Sequence, residues 1–109
     1  MTKFQKSVLD LVKNIPWGRL ATYQQIAQAL GQPKACRAVG SALKSNPFAY
    51  LKVTDPKSAI PCHRVVCSNG HLGGFQSGAK LKRQLLEKEG IIIKKNKIQN
   101  FKKFLVPNP

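Results

Sequence analysis

The sequence contains few acidic residues. Carboxylates occur only at Asp10, Asp55, Glu87 and Glu89, against 19 Lys and Arg residues, which gives a formal net charge of +15. An excess this large favours a polyanionic partner, above all nucleic acid, through neutralisation of phosphates and release of counterions. A basic solubility surface or an anionic-membrane binder remains the alternative.

Long apolar runs are also missing, since no segment approaches the ~18 apolar residues that a membrane span needs. Residues 1–10 mix charged with apolar residues and do not form a secretory signal. The three cysteines, Cys36, Cys62 and Cys67, are an odd number and are expected to be reduced thiols rather than a disulfide framework. With 109 residues, one core is feasible. The sequence predicts one intracellular domain without a membrane segment.

The first half of the chain carries helix signals. Apolar spacing predicts a helix over about 3–14. Thr22 and Gln25 form a capping box for a second helix that ends at Gly31. A third helix is predicted over 33–45, with Pro33 in its first turn. The last two helices have the spacing of a helix-turn-helix, although an ordinary helical hairpin has the same spacing.

The middle of the chain predicts a loop and then a small β-wing. Residues 48–60 are long for a connection in a small domain and are expected to form a surface loop. Asn69-Gly70 is a strong hairpin signal, so residues 64–67 and 70–75 are expected to pair as two strands.

A final amphipathic helix is predicted over about 79–89, closed by Gly90. The residues after it contain five lysines and no acid. We expect a basic tail, either a strand followed by an arm or a disordered segment. The predicted organisation is a domain over 1–93 and a basic tail over 94–109.

The segment around Cys62 carries the strongest chemical signal. A thiol needs a base or a positive environment to form thiolate, and His63 and Arg64 adjoin it. Glu87 or Glu89, in the last helix, could orient His63 in a relay to the cysteine through water. A buried inert thiol beside a surface imidazole is the simpler alternative.

A metal site is a second alternative for the same segment. Cys62, His63, Cys67 and His71 could supply four zinc ligands, but they lack the paired C-x-x-C spacing of known zinc sites. We expect no metal and no other cofactor.

The chain resembles the DNA-binding and active-site domain of the O6-alkylguanine-DNA alkyltransferases, also called methylated-DNA-protein-cysteine methyltransferases. The matching motifs occur in the family's order from about Phe4 to Gly90. They are Ile15-Pro16-x-Gly18 with Thr22-Tyr23, Arg37-Ala38-Val39-Gly40 with Asn46-Pro47, Pro61-Cys62-His63-Arg64-Val65, and Leu85-Leu86 with Glu89-Gly90.

The resemblance implies a mainly α-helical fold with a small β-wing, a winged helix-turn-helix that enters the minor groove of double-stranded DNA. The protein would act as a monomer and flip an O6-alkylguanine into a pocket. Cys62 would accept the alkyl group in a single turnover. His63 would be the base, acting through water, and Glu89 would orient it. Asn46 would support the active-site turn, and Tyr23 would rotate the phosphate and protonate the departing guanine.

The same carry-over gives the binding residues. Arg37 would enter the base stack in place of the flipped nucleotide. The expected DNA-binding set is Thr22, Lys34, Arg37, Ala38, Gly40, Lys44 and Arg64. The expected substrate pocket is Val65, Phe75, Gln76, Ser77 and Gly78.

Three features depart from the family pattern. Many members carry an additional N-terminal domain, whereas this chain begins at the DNA-binding domain. The 48–60 loop is longer than the usual link to the Pro-Cys-His motif. Phe75 and Ser77 stand where a tyrosine and a glycine are common, so the preference for methyl or larger adducts is left open.

Two rival functions remain at the level of sequence. Alkyltransferase-like lesion sensors are short relatives that bind alkylated guanine without accepting the group, but they typically lack the acceptor cysteine, which is present here as Cys62. A winged-helix regulator in which Cys62 is structural would prefer undamaged sequence.

Overall fold

The structure is a computed structural model that describes residues 2–46, 59–73 and 79–109.

Local sequence signals set the boundaries of the first helix. Helix α1 spans Lys3–Val12, and Thr2 caps it by accepting a hydrogen bond from the Gln5 amide at 3.0 Å. The helix ends before the predicted residue 14, where the chain turns. Its buried residues, which face the next two helices, are Val8, Leu9 and Val12.

The helix-turn-helix pair is present. Helix α2 spans Tyr23–Ala29 and helix α3 spans Cys36–Lys44. The predicted capping box is confirmed, because Thr22 Oγ1 accepts from the Gln25 amide at 2.9 Å while the Gln25 side chain accepts from the Thr22 amide at 3.0 Å. Gly31 follows α2 with a φ of +73°, a left-handed conformation that glycine adopts without a steric penalty.

The start of α3 differs from the prediction. The helix begins at Cys36 rather than in a turn containing Pro33. The amide of Ala35 donates to the Gln32 carbonyl at 2.9 Å, and Gln24 Nε2 donates to the Pro33 carbonyl at 3.0 Å. These bonds hold residues 32–35 as a separate turn that joins the two helices.

The predicted hairpin around Asn69-Gly70 is wrong in its strand pairing. The turn exists, with the Cys67 amide donating to the His71 carbonyl at 2.9 Å and Gly70 at a φ of +87°. Strand β2, Val65–Val66, however, pairs in parallel with β1, Ala21–Thr22. Val65 and Val66 are both fully buried, as in a strand that lies in the core. The β1–β2 pair therefore joins the start of α2 to the segment around Cys62.

The antiparallel hairpin lies later in the chain. Helix α4 spans Ala79–Lys88, close to the predicted 79–89, and Gly90 follows it with a φ of +89°. Strands β3, Ile93–Lys94, and β4, Lys97–Ile98, then pair in antiparallel register. Residues 93 and 94 are therefore neighbours in one strand. The boundary that the sequence analysis placed between the domain and the basic tail, after residue 93, falls inside this hairpin.

The basic tail is folded onto the domain. Helix α5, Phe101–Phe104, follows β4, and the chain then runs beside Leu20. The Leu20 amide donates to the Phe104 carbonyl and the Val106 amide donates to the Leu20 carbonyl, each at 2.8 Å. The expected strand is present as β3, but the expected arm or disordered segment is not, because the apolar residues of the tail pack into the second half of the core.

Two apolar clusters hold the fold together. The first packs α1, α2 and α3 around Val8, Val12, Ile26 and Val39 and includes Cys62 and Val65. The second unites Leu20, Val66, Leu72, Leu86, Ile91, Ile93 and Ile98 with the aromatic rings of α5. The segment 62–66 belongs to both, so it is fixed between them. Among the described residues, no helix is long and apolar enough to cross a membrane.

Candidate active site

The cysteine lies in a short, well-held turn. Cys62 begins a 3₁₀ helix, Cys62–Arg64, that leads directly into β2. Its side chain is buried, with the residue 4 % exposed. The Asn46 side chain, which is fully buried, donates from Nδ2 to the Ile60 carbonyl at 3.1 Å. This bond ties the end of the helix-turn-helix to the approach to Cys62, the supporting position that the resemblance implied for Asn46.

A histidine-carboxylate pair adjoins the cysteine. His63 Nε2 lies 2.6 Å from Glu89 Oε2, and both side chains are buried. Burial lowers the pKa of His63, and the neighbouring carboxylate only partly opposes this effect. Burial works to raise the pKa of Glu89, but the hydrogen bonds that the carboxylate accepts outweigh it, so this pKa is lowered. The pair therefore holds a neutral imidazole beside an ionised carboxylate at neutral pH.

Glu89 is itself held from three sides. Its Oε1 accepts from the Gly18 amide at 2.9 Å and from Arg64 Nε at 2.9 Å, and Arg64 Nη2 reaches Oε2 at 3.1 Å. A carboxylate this constrained keeps one orientation, and the imidazole bonded to it keeps one too. Of the two carboxylates that the sequence left open, Glu87 is exposed and pairs with Arg83 at 3.6 Å.

Arg64 does not lie on the DNA-binding surface where the sequence placed it. The residue is 6 % exposed. Besides its two bonds to Glu89, its Nη1 donates to the Ile15 carbonyl at 2.8 Å, and its guanidinium lies 5.7 Å from the ring centre of Trp17. A buried carboxylate needs a buried cation, which explains why this arginine points inward.

Sequence reasoning missed a buried lysine. Lys82 is fully buried, and its Nζ donates to the Val65 carbonyl at 2.7 Å and lies 3.4 Å from the Tyr23 hydroxyl. Burial lowers the pKa of Lys82 to about 8, while interactions with Cys67 and Cys62 favour the charged form. A signal was available, because Lys82 precedes Leu86 by four residues and Glu89 by seven and so shares their inward helix face.

Tyr23 and Gly73 complete the environment of the Cys62 and Cys67 thiols. Burial, followed by interactions with Cys67 and Cys62, raises the pKa of Tyr23 to about 12. A side chain on Gly73 would meet the Tyr23 hydroxyl at 3.0 Å and Cys67 Sγ at 3.2 Å, and Gly73 has a φ of +73°. A larger residue at this position would clash with the tyrosine, so glycine lets the chain pass close to its hydroxyl.

The predicted DNA-binding residues divide into two groups. Lys34, Arg37, Ala38 and Lys44 are exposed on or just before α3. Thr22 is 5 % exposed and its hydroxyl serves the cap of α2, so it does not offer that group to a ligand. Gly40 is half-buried, with room for a Cβ 3.9 Å from the Tyr23 ring.

The predicted pocket is described only in part. Val65 is fully buried, and its carbonyl is bonded to Lys82. The predicted pocket residues Phe75, Gln76, Ser77 and Gly78 lie outside the described residues, as does most of the predicted 48–60 loop. Among the residues that the structure describes, no group of three His, Cys, Asp or Glu side chains is placed to hold a metal ion.

Comparison with known proteins assigns the chain to a family. The family model for the DNA-binding domain of 6-O-methylguanine DNA methyltransferase matches residues 3–91. A methylated-DNA-protein-cysteine methyltransferase of Methanosarcina acetivorans is 47 % identical over 89 residues, and one of Saccharolobus islandicus is 49 % identical over 90. These matches cover 82 % and 83 % of this chain and 52 % of each relative. The chain thus spans about half the length of the curated relatives it matches.

Two solved structures show the likeness in three dimensions. Mycobacterium tuberculosis OGT in complex with DNA has a TM-score of 0.72 and 40 % identity, covering 83 % of this chain and 50 % of that one. S. pombe Atl1, in complex with damaged DNA containing O6-carboxymethylguanine, has a TM-score of 0.78 and 29 % identity, covering 97 % and 96 %. The mainly helical helix-turn-helix fold predicted from the sequence is confirmed.

Proposed function

Because this chain belongs to the 6-O-methylguanine DNA methyltransferase family, through the DNA-binding domain of that family, we propose that it repairs DNA by moving an alkyl group from O6-alkylguanine to its own Cys62. The observation that carries the proposal is the buried thiol in the same turn as a His63 held 2.6 Å from Glu89. That arrangement is what an activated nucleophile requires: a nucleophile, a neutral base and a group that orients the base.

The transfer is a single displacement. His63, neutral because burial lowers its pKa, takes the thiol proton through a water molecule. The thiolate attacks the alkyl carbon, a carbon-sulfur bond forms, and the bond from that carbon to O6 of guanine breaks. Glu89 stabilises the imidazolium that results, and the thioether is stable, so each molecule reacts once.

The departing guanine carries away the electron pair and needs a proton. The Tyr23 hydroxyl keeps its proton at neutral pH, since its pKa is raised to about 12, and it is the donor that we assign to the guanine ring. Lys82 Nζ lies 3.4 Å from that hydroxyl, to which it donates, and it can give the resulting phenolate a proton in place of the one lost to guanine.

DNA would enter along α3. Three exposed basic residues lie along this helix: Lys34 lies just before it, Arg37 in its first turn and Lys44 at its end. A base inside a duplex cannot reach a buried thiol, so the damaged nucleotide must leave the stack, and Arg37 would fill the gap from the minor groove. We propose that one molecule acts alone, in the compartment that holds the DNA.

Lesion sensing without transfer is the second candidate, and the match to nearly the whole length of Atl1 is the observation in its favour. The two functions separate in one assay. An oligonucleotide containing O6-methylguanine is incubated with excess protein and then digested to nucleosides. Transfer restores guanine in the wild type and in Cys36→Ser and Cys67→Ser variants, but not in Cys62→Ser. Tight binding by the wild type with no guanine recovered would support the sensor instead.

A further inference from the structure

The tip of the β3–β4 hairpin carries three lysines in an arrangement that folding alone does not favour. Lys94 and Lys97 face each other across the two strands, and Lys95 lies in the turn between them. Like charges directly opposite each other destabilise a strand pair. Lys95 and Asn96 have φ values of 52° and 62°, a left-handed turn that Asn-Gly would adopt at lower cost than a lysine.

Among the residues that the structure describes, no carboxylate forms an ion pair with these lysines. The last twenty residues of the chain contain no acid, and among the described residues the ion pairs involve only Glu87 and Glu89. Lys94, Lys95, Asn96 and Lys97 are all exposed. Residues that break several local rules together are typical of functional sites.

The hairpin is nevertheless firmly placed. Ile93 and Ile98, at its base, are 4 % and 3 % exposed and join the second apolar cluster. The Leu72 amide donates to the Asn96 carbonyl at 3.3 Å, and the Ile98 amide donates to the Gly70 carbonyl at 2.9 Å. The lysines are thus attached to the turn that follows β2, through Gly70 and Leu72, which lie eight and ten residues after Cys62 in the sequence.

We propose that this lysine hairpin, residues 93–98, is a second DNA contact that binds backbone phosphates beside the site while α3 lies in the groove. A polyanion relieves the repulsion between the three lysines, and a rigid hairpin presents them without the ordering cost of a flexible arm. The contact has no base specificity, because the lysine ammonium groups bind phosphates, which are the same at every base pair. The inference deepens the proposed function, whose DNA-binding part it rests on.

The test compares two variants of equal charge. In one, Lys94→Gln, Lys95→Asn and Lys97→Gln neutralise the hairpin, and Asn at position 95 tolerates the left-handed turn. In the other, Lys3→Gln, Lys6→Gln and Lys13→Gln remove the same charge from and just after α1. Affinity for an undamaged duplex is measured against salt concentration, and circular dichroism verifies that each variant is folded.

The hairpin variant should lower the log-log salt slope by about 2 to 3, because each phosphate contact contributes about 0.9. The α1 variant should leave the slope within about 1 of the wild type. Equal slopes for the two variants would mean that only net charge matters, and an unchanged slope in the hairpin variant would remove the contact; either result overturns the proposal. Since undamaged DNA is used, the result does not depend on whether Cys62 accepts an alkyl group.

Discussion

At the scale of single residues, Glu89 is a carboxylate that we expect to act on the reaction through a histidine. Glu89 touches His63, Arg64 and the Gly18 amide, all within 3.1 Å. It does not need to contact the DNA to affect the reaction, because an imidazole that is not held in place removes a proton less efficiently. Its substitution should therefore affect the rate of transfer more than DNA binding.

We expect Glu89→Gln to slow alkyl transfer by about 10-fold to 100-fold in single-turnover kinetics, with the affinity for DNA nearly unchanged. Glu87→Gln is the matched control, since it makes the same change in charge two residues away on an exposed carboxylate. Equal rates for the two variants would exclude the orienting role. A conformational explanation is checked by the near-ultraviolet circular dichroism of both proteins.

Lys82 gives a prediction in which stability and activity change separately. Burial lowers its pKa in the folded state from 10.5 to about 8, so between these values the unfolded chain holds a proton that the folded chain has lost. The free energy of unfolding should then rise with pH across this window, by roughly 3 kcal/mol at most. Lys82→Met should remove that rise in denaturant titrations and slow transfer by about tenfold.

The control for this prediction is Lys80→Met, on the exposed side of the same helix. It should keep both the rise of stability above pH 8 and the transfer rate. If Lys82→Met kept the wild-type pH dependence of stability, the lysine would not be the buried cation described above.

At the scale of elements, local signals predicted the helices and failed for the strands. The Thr22-Gln25 box and Gly31 act within a few residues, so α2 was predictable. The β1–β2 pair joins residues 21–22 to 65–66, and such distant pairing leaves no local signature in the sequence. The β3–β4 turn was missed because Lys95-Asn96 is not among the favoured turn dipeptides.

The site was predictable to the same extent. Cys62, His63 and Glu89 followed from motif resemblance, and the structure places the last two in contact. The inward turn of Arg64 was not predicted, since adjacent residues in a sequence reveal nothing about which of them will pair with a carboxylate 25 positions away. The burial of Lys82 could have been predicted only from its position on the inward face of the helix.

Helix α3 is the element that we expect to meet DNA. Arg37→Ala should slow repair of a duplex at least tenfold more than repair of a single strand, because only the duplex leaves a gap in the stack to be filled. Lys6→Ala on α1 should affect both substrates equally and weakly. Equal losses on duplex and single strand for Arg37→Ala would show that the residue serves general affinity instead.

At the scale of the whole molecule, the C-terminal segment is part of the fold. Ile98 is buried in the second cluster, the α5 rings pack against it, and Phe104 and Val106 bond to Leu20 from both sides. Gln25, in the capping box, also donates to the Val106 carbonyl at 2.7 Å. The tail therefore supports the start of α2.

Truncation after residue 93 should lower the free energy of unfolding by at least about 3 kcal/mol, since it uncovers several apolar side chains and removes the bonds to Leu20. Truncation after residue 106 should have almost no effect, because residues 107–109 follow the last of these bonds. Chemical denaturation of the two shortened proteins tests this. A stable protein ending at residue 93 would mean that the tail is dispensable.

Peptide mass spectrometry identifies which cysteine accepts the alkyl group, and we expect it to be Cys62. The three cysteines fall in separate tryptic peptides, 35–37, 58–64 and 65–80. After reaction with DNA containing O6-methylguanine under reducing conditions, peptide 58–64 should gain one methyl group in place of the thiol hydrogen, up to one equivalent per protein. Bound lesion with peptide 58–64 unmodified, or a methyl group on either of the other peptides, would contradict the account.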